Sequence, residues 1–296
     1  MSINVCAYDS IKHRALSLVG DAKLTLNTLM KYCTAIKTSN DWQQRVSVLR
    51  KEWLIAVDEA SRDKGTLLPS DGEVVGAVNR SSRERDVVVC AAGGLPGDLQ
   101  KLWKTSFDRG YHVEYGYSCM GYEIAGGLGV KMALPDSQVY VMVGDGSYLM
   151  MNSEIVTAVQ EDQKLIIILV NNHGFGSINN LSLSLGSKGF GNQYRKREID
   201  TNDYTGEKIQ VDYIAHAKSM GIDAVRVQEK NEFVNALKKA RKNTNSILIE
   251  VLVDKNIRVP GYGAWWDVPV AEVSKSEKVK EVRIQYDKQI KKERDF

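Results

Sequence analysis

Residues 144–172 read GDGSYLMMNSEIVTAVQEDQKLIIILVNN. Just ahead of them, Val139, Val141 and Val143 form an apolar strand that runs into Gly144-Asp145-Gly146. A helix-like stretch follows, then a second apolar strand, Leu165 to Val170, that ends at Asn171-Asn172. Two apolar strands joined through a helix make one βαβ unit. Parallel strands bring their C-terminal ends to the same edge of a sheet. Asp145 and Asn172, 27 positions apart, are therefore expected to meet in space. A carboxylate and an amide oxygen beside a Gly-rich strand-to-helix turn suit a Mg²⁺ that carries a diphosphate. The Gly174 carbonyl can give the metal a third oxygen, and the N–H groups of Gly146 and Ser147 can meet the diphosphate.

Around this unit, strand and helix patterns alternate. DVVVCAAGG, from Asp86, reads as a buried strand ending in glycines, and GYEIAGGLGVKMA as a small-residue helix from about Met120 to Ala133. Further strands are expected at 224–228 and 247–253, with helices between Asp212 and Met220 and from an Asn231 cap to Lys242. The pattern predicts an α/β fold with a doubly wound parallel sheet, a helical N-terminal segment and a C-terminal helical tail. Residues 1–66 read as helical, with Asp21 capping one helix, a longer one over 41–62, and no strand of any length. Ser70 is expected to cap a short helix around Glu73–Asn79. Residues 173–210 hold five glycines between Gly174 and Gly191 and show no clear period, so they read as a long loop over the site. The tail, about 270–293, is a mixed-charge helix of solvated character. The resulting division is 1–66, 67–260 and 261–296.

Composition limits the function classes. In 296 residues, 40 basic against 37 acidic side chains leave a formal charge of +3, too even for a nucleic-acid or anionic-membrane binder. The longest apolar run is far too short to span a bilayer. The four cysteines (Cys6, Cys33, Cys90, Cys119) form no CxxC pair, which argues against zinc and disulfides and fits a reducing cytoplasm. Gly126-Gly127-Leu128-Gly129 lies inside a helix rather than after a strand, which excludes a dinucleotide fingerprint.

GDG, then 24 residues, then NN resembles the cofactor motif of the thiamine-diphosphate-dependent enzyme superfamily. EYGYSCMGYEIAGGLGVKMALPDSQVYVMVGDG resembles the segment that precedes it in the decarboxylase and acetolactate-synthase branch. SCMGYEIAG, VYVMVGDGSYLM, VDYIAHAKSMG and WWDVPVAEVS are similar to the family of hydrolases that open a cyclic trihydroxycyclohexanedione in myo-inositol breakdown. The resemblance implies thiamine diphosphate and Mg²⁺ as cofactors, with Gly144, Asp145, Gly146, Ser147, Asn172 and Gly174 at the phosphate end. It places Met120 under the bend of the cofactor, the Ser118 carbonyl at its aminopyrimidine, and Gly94 and Leu95 of AAGGLPGD at its phosphate or pyrimidine. It implies C–C cleavage of a cyclic dione with release of a deoxyglucuronic acid. The alternative substrate class is a 2-oxo acid, as in a decarboxylase or acetolactate-forming enzyme.

In that superfamily a glutamate on a separate pyrimidine-binding domain activates the cofactor. No residue of this chain matches it, so the resemblance implies a pyrimidine-binding domain on another chain or on a missing N-terminal half. A homo- or hetero-oligomer follows by analogy. The chain reads as one piece of a larger enzyme, one part of a split gene, or an inactive remnant or regulatory subunit. His112 and His173 flank the motif and are candidates for proton transfer. Cys119 has no base nearby and reads as packing. His13 and His216 read as structural, and Trp265-Trp266 as a clasp for the tail.

Overall fold

The structure is a computed structural model that describes residues 1–262 and 267–293. Trp265 and Trp266 lie outside the described residues. The chain divides into two compact units, one of Met1–Leu54 with the segment from Arg283 onward, the other of Ile55–Val282.

The first unit starts with β1 (Ser2–Asn4), α1 (Tyr8–Lys12), β2 (Ser17–Val19) and α2 (Ala22–Tyr32), and holds the beginning of α3 (Asn40–Ser61). The two strands pair in parallel, with Ile3 opposite Leu18. They correct the expectation of a strandless segment: runs of three residues, SIN and SLV, are too short to show an alternating pattern. Asp21 caps α2, its carboxylate accepting from Leu24 N at 2.9 Å. No residue of α2 is buried, and Leu24, Met30 and Tyr32 are exposed.

In the second unit, α4 (Asp71–Ser81) opens with a capping box. Ser70 Oγ accepts from Glu73 N at 3.3 Å, and Glu73 Oε2 accepts from Ser70 N at 2.7 Å. Then come β3 (Val87–Cys90), α5 (Gly94–Leu102), β4 (Tyr111–Val113), α6 (Tyr122–Ala133) and β5 (Val139–Gly144). The segment after β5 is two short helices, α7 (Asp145–Met150) and α8 (Glu154–Gln160), followed by β6 (Ile166–Asn171). The chain continues through α9 (Gly176–Ser184), α10 (Tyr213–Ser219), β7 (Asp223–Val227), α11 (Lys230–Lys242), β8 (Ile247–Leu252) and the start of α12 (Glu277–Ile290), whose residues from Arg283 belong to the first unit.

The six strands form one parallel sheet in the order β4-β3-β5-β6-β8-β7. From β3 the chain first steps outward to β4 and then returns to the other side of β3 as β5. The crevice between the C-terminal ends of β3 and β5 is thus the point where the winding reverses, the usual place for a ligand in such sheets. Both faces are covered, so the central strands are apolar on both sides. Val88, Cys90, Tyr140, Met142, Ile166, Ile168 and Ile249 pack on one face with residues of α4, α5 and α11. Val87, Val89, Val139, Val141, Ile167, Leu169 and Leu248 pack on the other with residues of α6, α8 and α10. Each fully buried aliphatic side chain contributes about 1.5–3 kcal/mol, so these strands anchor the edge on which the site is built.

Several details differ from the expectation. β4 does not show in the sequence because YHV is too short and too polar to read as a strand. α6 starts at Tyr122 because Gly121 is left-handed, with φ +97. α11 is capped by Glu229 rather than Asn231, Glu229 and Glu232 forming the capping box. Residues 173–210 are not wholly irregular: α9 fills their first part, and isolated bridges join Gly174 to Gln193 and Arg195 to Lys208.

Candidate metal and diphosphate site

β5 and β6 run in register with Gly144 opposite Val170. The next residues of each strand leave the sheet at the same edge, and Asp145 and Asn172 emerge together. Gly174 N–H donates to Asp145 Oδ2 at 2.8 Å. The other carboxylate oxygen, Oδ1, is buried without a hydrogen-bond partner, and so is Asn172 Oδ1. Burial raises the Asp145 carboxyl to about 7, countered by main-chain N–H groups, that of Gly174 first. Buried oxygens are normally paired, and a pair of orphans on adjacent strand ends calls for a common partner. A carboxylate and an amide oxygen are hard ligands of the kind Mg²⁺ takes. The donor set therefore fits a divalent cation.

Gly174 is held in place by its own backbone. Its φ is +146, and a Cβ there would lie 2.3 Å from Asn192 O. Phe175 N donates to that same carbonyl at 2.9 Å. The chain after Asn172 thus turns sharply and is stitched to residues 192–194.

Gly146 and Ser147 are buried at the start of α7. The Ser147 hydroxyl donates to Glu123, 2.7 Å from Oε1 and 2.9 Å from Oε2. It also accepts from Gly121 N at 2.7 Å. Glu123 is 1% exposed and stands at the start of α6. Sequence reasoning does not single it out; the available signal is a lone carboxylate inside the small-residue run GYEIAGGLG.

Gly94 opens α5, exposed, and Leu95 is buried beside it. Ser118 is exposed with φ +54, and Met120 is half-buried. The turn carrying them is tied to β4 by Glu114, whose carboxylate accepts from Tyr117 N at 3.0 Å and Cys119 N at 2.7 Å. These main-chain bonds hold the Glu114 carboxyl below its ordinary range. Cys119 itself is exposed.

His112 lies on β4, its Nε2 2.8 Å from Tyr122 Oη and its ring stacked on that tyrosine. His173 has φ +63 and donates its N–H to Asn171 Oδ1 at 3.0 Å. Burial, followed by the nearby Lys208 charge, lowers its pKa. It lines a cavity of 170 Å³ with Tyr194, Tyr213, Arg226 and Glu250. There Asn171 Nδ2 donates to Glu250 Oε1 at 2.7 Å and Arg226 Nε to Glu250 Oε2 at 2.8 Å. His216 Nδ1 is 2.9 Å from Tyr148 Oη, a bond within the core. No helix among the described residues is long and apolar enough to cross a membrane.

The chain is similar to known proteins. The profile of the family described as thiamine pyrophosphate enzyme, C-terminal TPP binding domain, matches residues 91–251. The chain is 39% identical, over 301 residues, to the 3D-(3,5/4)-trihydroxycyclohexane-1,2-dione hydrolase of Geobacillus thermodenitrificans (strain NG80-2), with 94% of this chain and 47% of that protein covered. It is 37% identical over 304 residues to 3D-(3,5/4)-trihydroxycyclohexane-1,2-dione hydrolase 2 of Bacillus cereus, with 94% of this chain and 47% of that protein covered. The chain spans about half the length of the curated relatives it matches. Among solved structures, it is similar in fold to the Rhodococcus jostii RHA1 thiamine diphosphate-dependent 4-hydroxybenzoylformate decarboxylase. The TM-score is 0.55 at 20% identity, covering 64% of this chain and 33% of that one.

Proposed function

The chain belongs to the thiamine pyrophosphate enzyme family, in the part that carries the C-terminal TPP binding domain, and from this premise we propose that it binds Mg²⁺–thiamine diphosphate as one half of a C–C hydrolase that opens a cyclic trihydroxycyclohexanedione. The observation that carries the cofactor reading is the pair of buried, unpartnered oxygens, Asp145 Oδ1 and Asn172 Oδ1. In this reading Asp145, Asn172 and the Gly174 carbonyl hold the metal, and the N–H groups of Gly146 and Ser147 meet the diphosphate, with Gly144 shaping the turn. Gly94, Leu95, Ser118 and Met120 take the rest of the cofactor. When bound, thiamine diphosphate supplies the electron sink that C–C cleavage needs. The protein's part is to orient it and to hold the metal at its phosphate end.

The substrate class rests on the identity to the dione hydrolases, and 2-oxo acids are the alternative that the test must separate. We place residues 1–66 at the end of a middle domain, 67–260 in the diphosphate-binding domain and 261–296 in a tail. The two-stranded parallel ribbon β1–β2 supports the first assignment, since parallel pairs normally belong to larger sheets. Turnover requires a pyrimidine-binding domain, on another polypeptide or on an N-terminal half of the same one, within an oligomer. Calorimetric titration tests the cofactor reading: binding of thiamine diphosphate must require Mg²⁺ and be lost in Asp145→Ala. Mixing the chain with the N-terminal half of the Geobacillus relative then tests turnover, with the cyclic dione consumed and pyruvate left untouched.

A further inference from the structure

Glu123 is a buried carboxylate that the proposed cofactor contacts do not use. Its Oε2 accepts from Gly121 N at 2.9 Å, and both its oxygens accept from the Ser147 hydroxyl at 2.7 and 2.9 Å. These partners sit on two separate turns. Gly121 ends the turn that carries Ser118 and Met120, and Ser147 lies in the first turn of α7 after β5. The second turn leaves the C-terminal end of β5, beside the crevice where the sheet winding reverses, between β3 and β5. A side chain that accepts from both fixes their relative positions at one point. The Ser147 hydroxyl gives its one proton to Glu123 and accepts from Gly121, so the donor this residue offers a ligand is its main-chain N–H.

We propose that Glu123 is the positioning residue of this site, holding the turns at Gly121 and Ser147 in the one arrangement that accepts thiamine diphosphate along its whole length. The inference rests on the cofactor reading above. It separates two functions: the metal clamp grips the phosphate end alone, whereas Glu123 sets the distance from that end to the turns that hold the rest of the cofactor. Losing Glu123 must therefore damage binding of the long ligand more than that of the short one.

The test compares Mg²⁺–thiamine diphosphate with Mg²⁺–pyrophosphate by calorimetry on the full chain, for wild type, Glu123→Ala, Glu123→Gln and Ser147→Ala. The expected result for Glu123→Ala is a loss of thiamine diphosphate affinity of about tenfold or more, in the range seen when groups that orient ligands are removed. Pyrophosphate affinity should change by less than about threefold, and Glu123→Gln should recover part of the loss because it keeps one acceptor oxygen. Ser147→Ala, which removes a single hydroxyl, should give a smaller loss of the same selectivity, and it reports even if Glu123→Ala fails to fold. Equal losses for both ligands, or unchanged affinity for both, would overturn the proposal. Failure of the wild type to bind thiamine diphosphate would overturn the cofactor reading and this inference with it; wild-type binding with indifferent variants overturns this inference alone.

Discussion

Asp145 and Gly174 are joined by one 2.8 Å bond, from the glycine N–H to Oδ2, which leaves Oδ1 as unpartnered as the Oδ1 of Asn172. The division of labour within one carboxylate, one oxygen for the fold and one for a ligand, makes Asp145→Ala informative. It should weaken Mg²⁺-dependent binding of thiamine diphosphate by about 100-fold or more, equivalent to about 2.7 kcal/mol. Titration calorimetry at fixed Mg²⁺ checks this. Asn172→Ala should show the same direction with a smaller loss, since a neutral ligand is removed.

Gly174→Ala should destabilise the domain even without cofactor. The side chain would have to adopt a φ of +146 and press on Asn192 O. Strained backbone of this kind costs on the order of 1–3 kcal/mol before the clash is added. Chemical denaturation of the cofactor-free variant measures the loss, and limited proteolysis near residue 192 shows whether the turn has been displaced.

Glu250 is a fully buried carboxylate in β8 between Asn171 and Arg226. Replacing Arg226 by Met leaves that charge with only an amide partner. Breaking a fully buried pair costs about 3–5 kcal/mol, but the Arg226 side chain is 43% exposed and water screens it. The expected loss is therefore about 1–3 kcal/mol. Adding Glu250→Gln to the Arg226→Met variant should restore most of it, which thermal melting of the single and double variants would reveal.

The stability of the cofactor-free protein should depend on pH through Asp71 and Asp98. Burial raises Asp71 to about 6, and burial together with the Asp71 charge raises Asp98 to about 7. The folded state thus keeps protons that the unfolded chain, with ordinary Asp near 3.8, has released. By linkage, stability falls as pH rises between about 4 and 7 and stays low above it. Asp71→Asn should stabilise the protein at pH 8 by an amount on the order of 2 kcal/mol and change it little at pH 4. Melting curves of both forms at the two pH values decide the matter, and parallel shifts at both would refute it.

The sheet was legible because burial on both faces makes its central strands continuous apolar runs, as in Leu165–Val170. The pairing of Asp145 with Asn172 was legible for the same reason, as parallel strands of known ends fix which residues emerge together. What escaped was short or non-local. YHV at 111–113 becomes a strand only because β3 lies beside it, with Val89 opposite His112. α9 has a weak apolar period and buries no residue, so nothing in GSINNLSLS marks a helix. Glu123 was hidden by its setting: an acid among glycines reads as a surface residue until the two turns that donate to it are seen together.

The ribbon β1–β2 carries a consequence for handling the protein. Among the described residues, two three-residue parallel strands leave two open edges of unpaired N–H and C=O groups. The neighbouring α2 shows Leu24, Met30 and Tyr32 to solvent. Open strand edges beside exposed apolar side chains are templates for self-association. Concentrated solutions of the chain by itself are therefore expected to form aggregates seeded through residues 1–32, and light scattering should fall when a polypeptide that caps that ribbon is co-expressed. Solubility, rather than catalysis, then becomes the first sign that the right companion has been found.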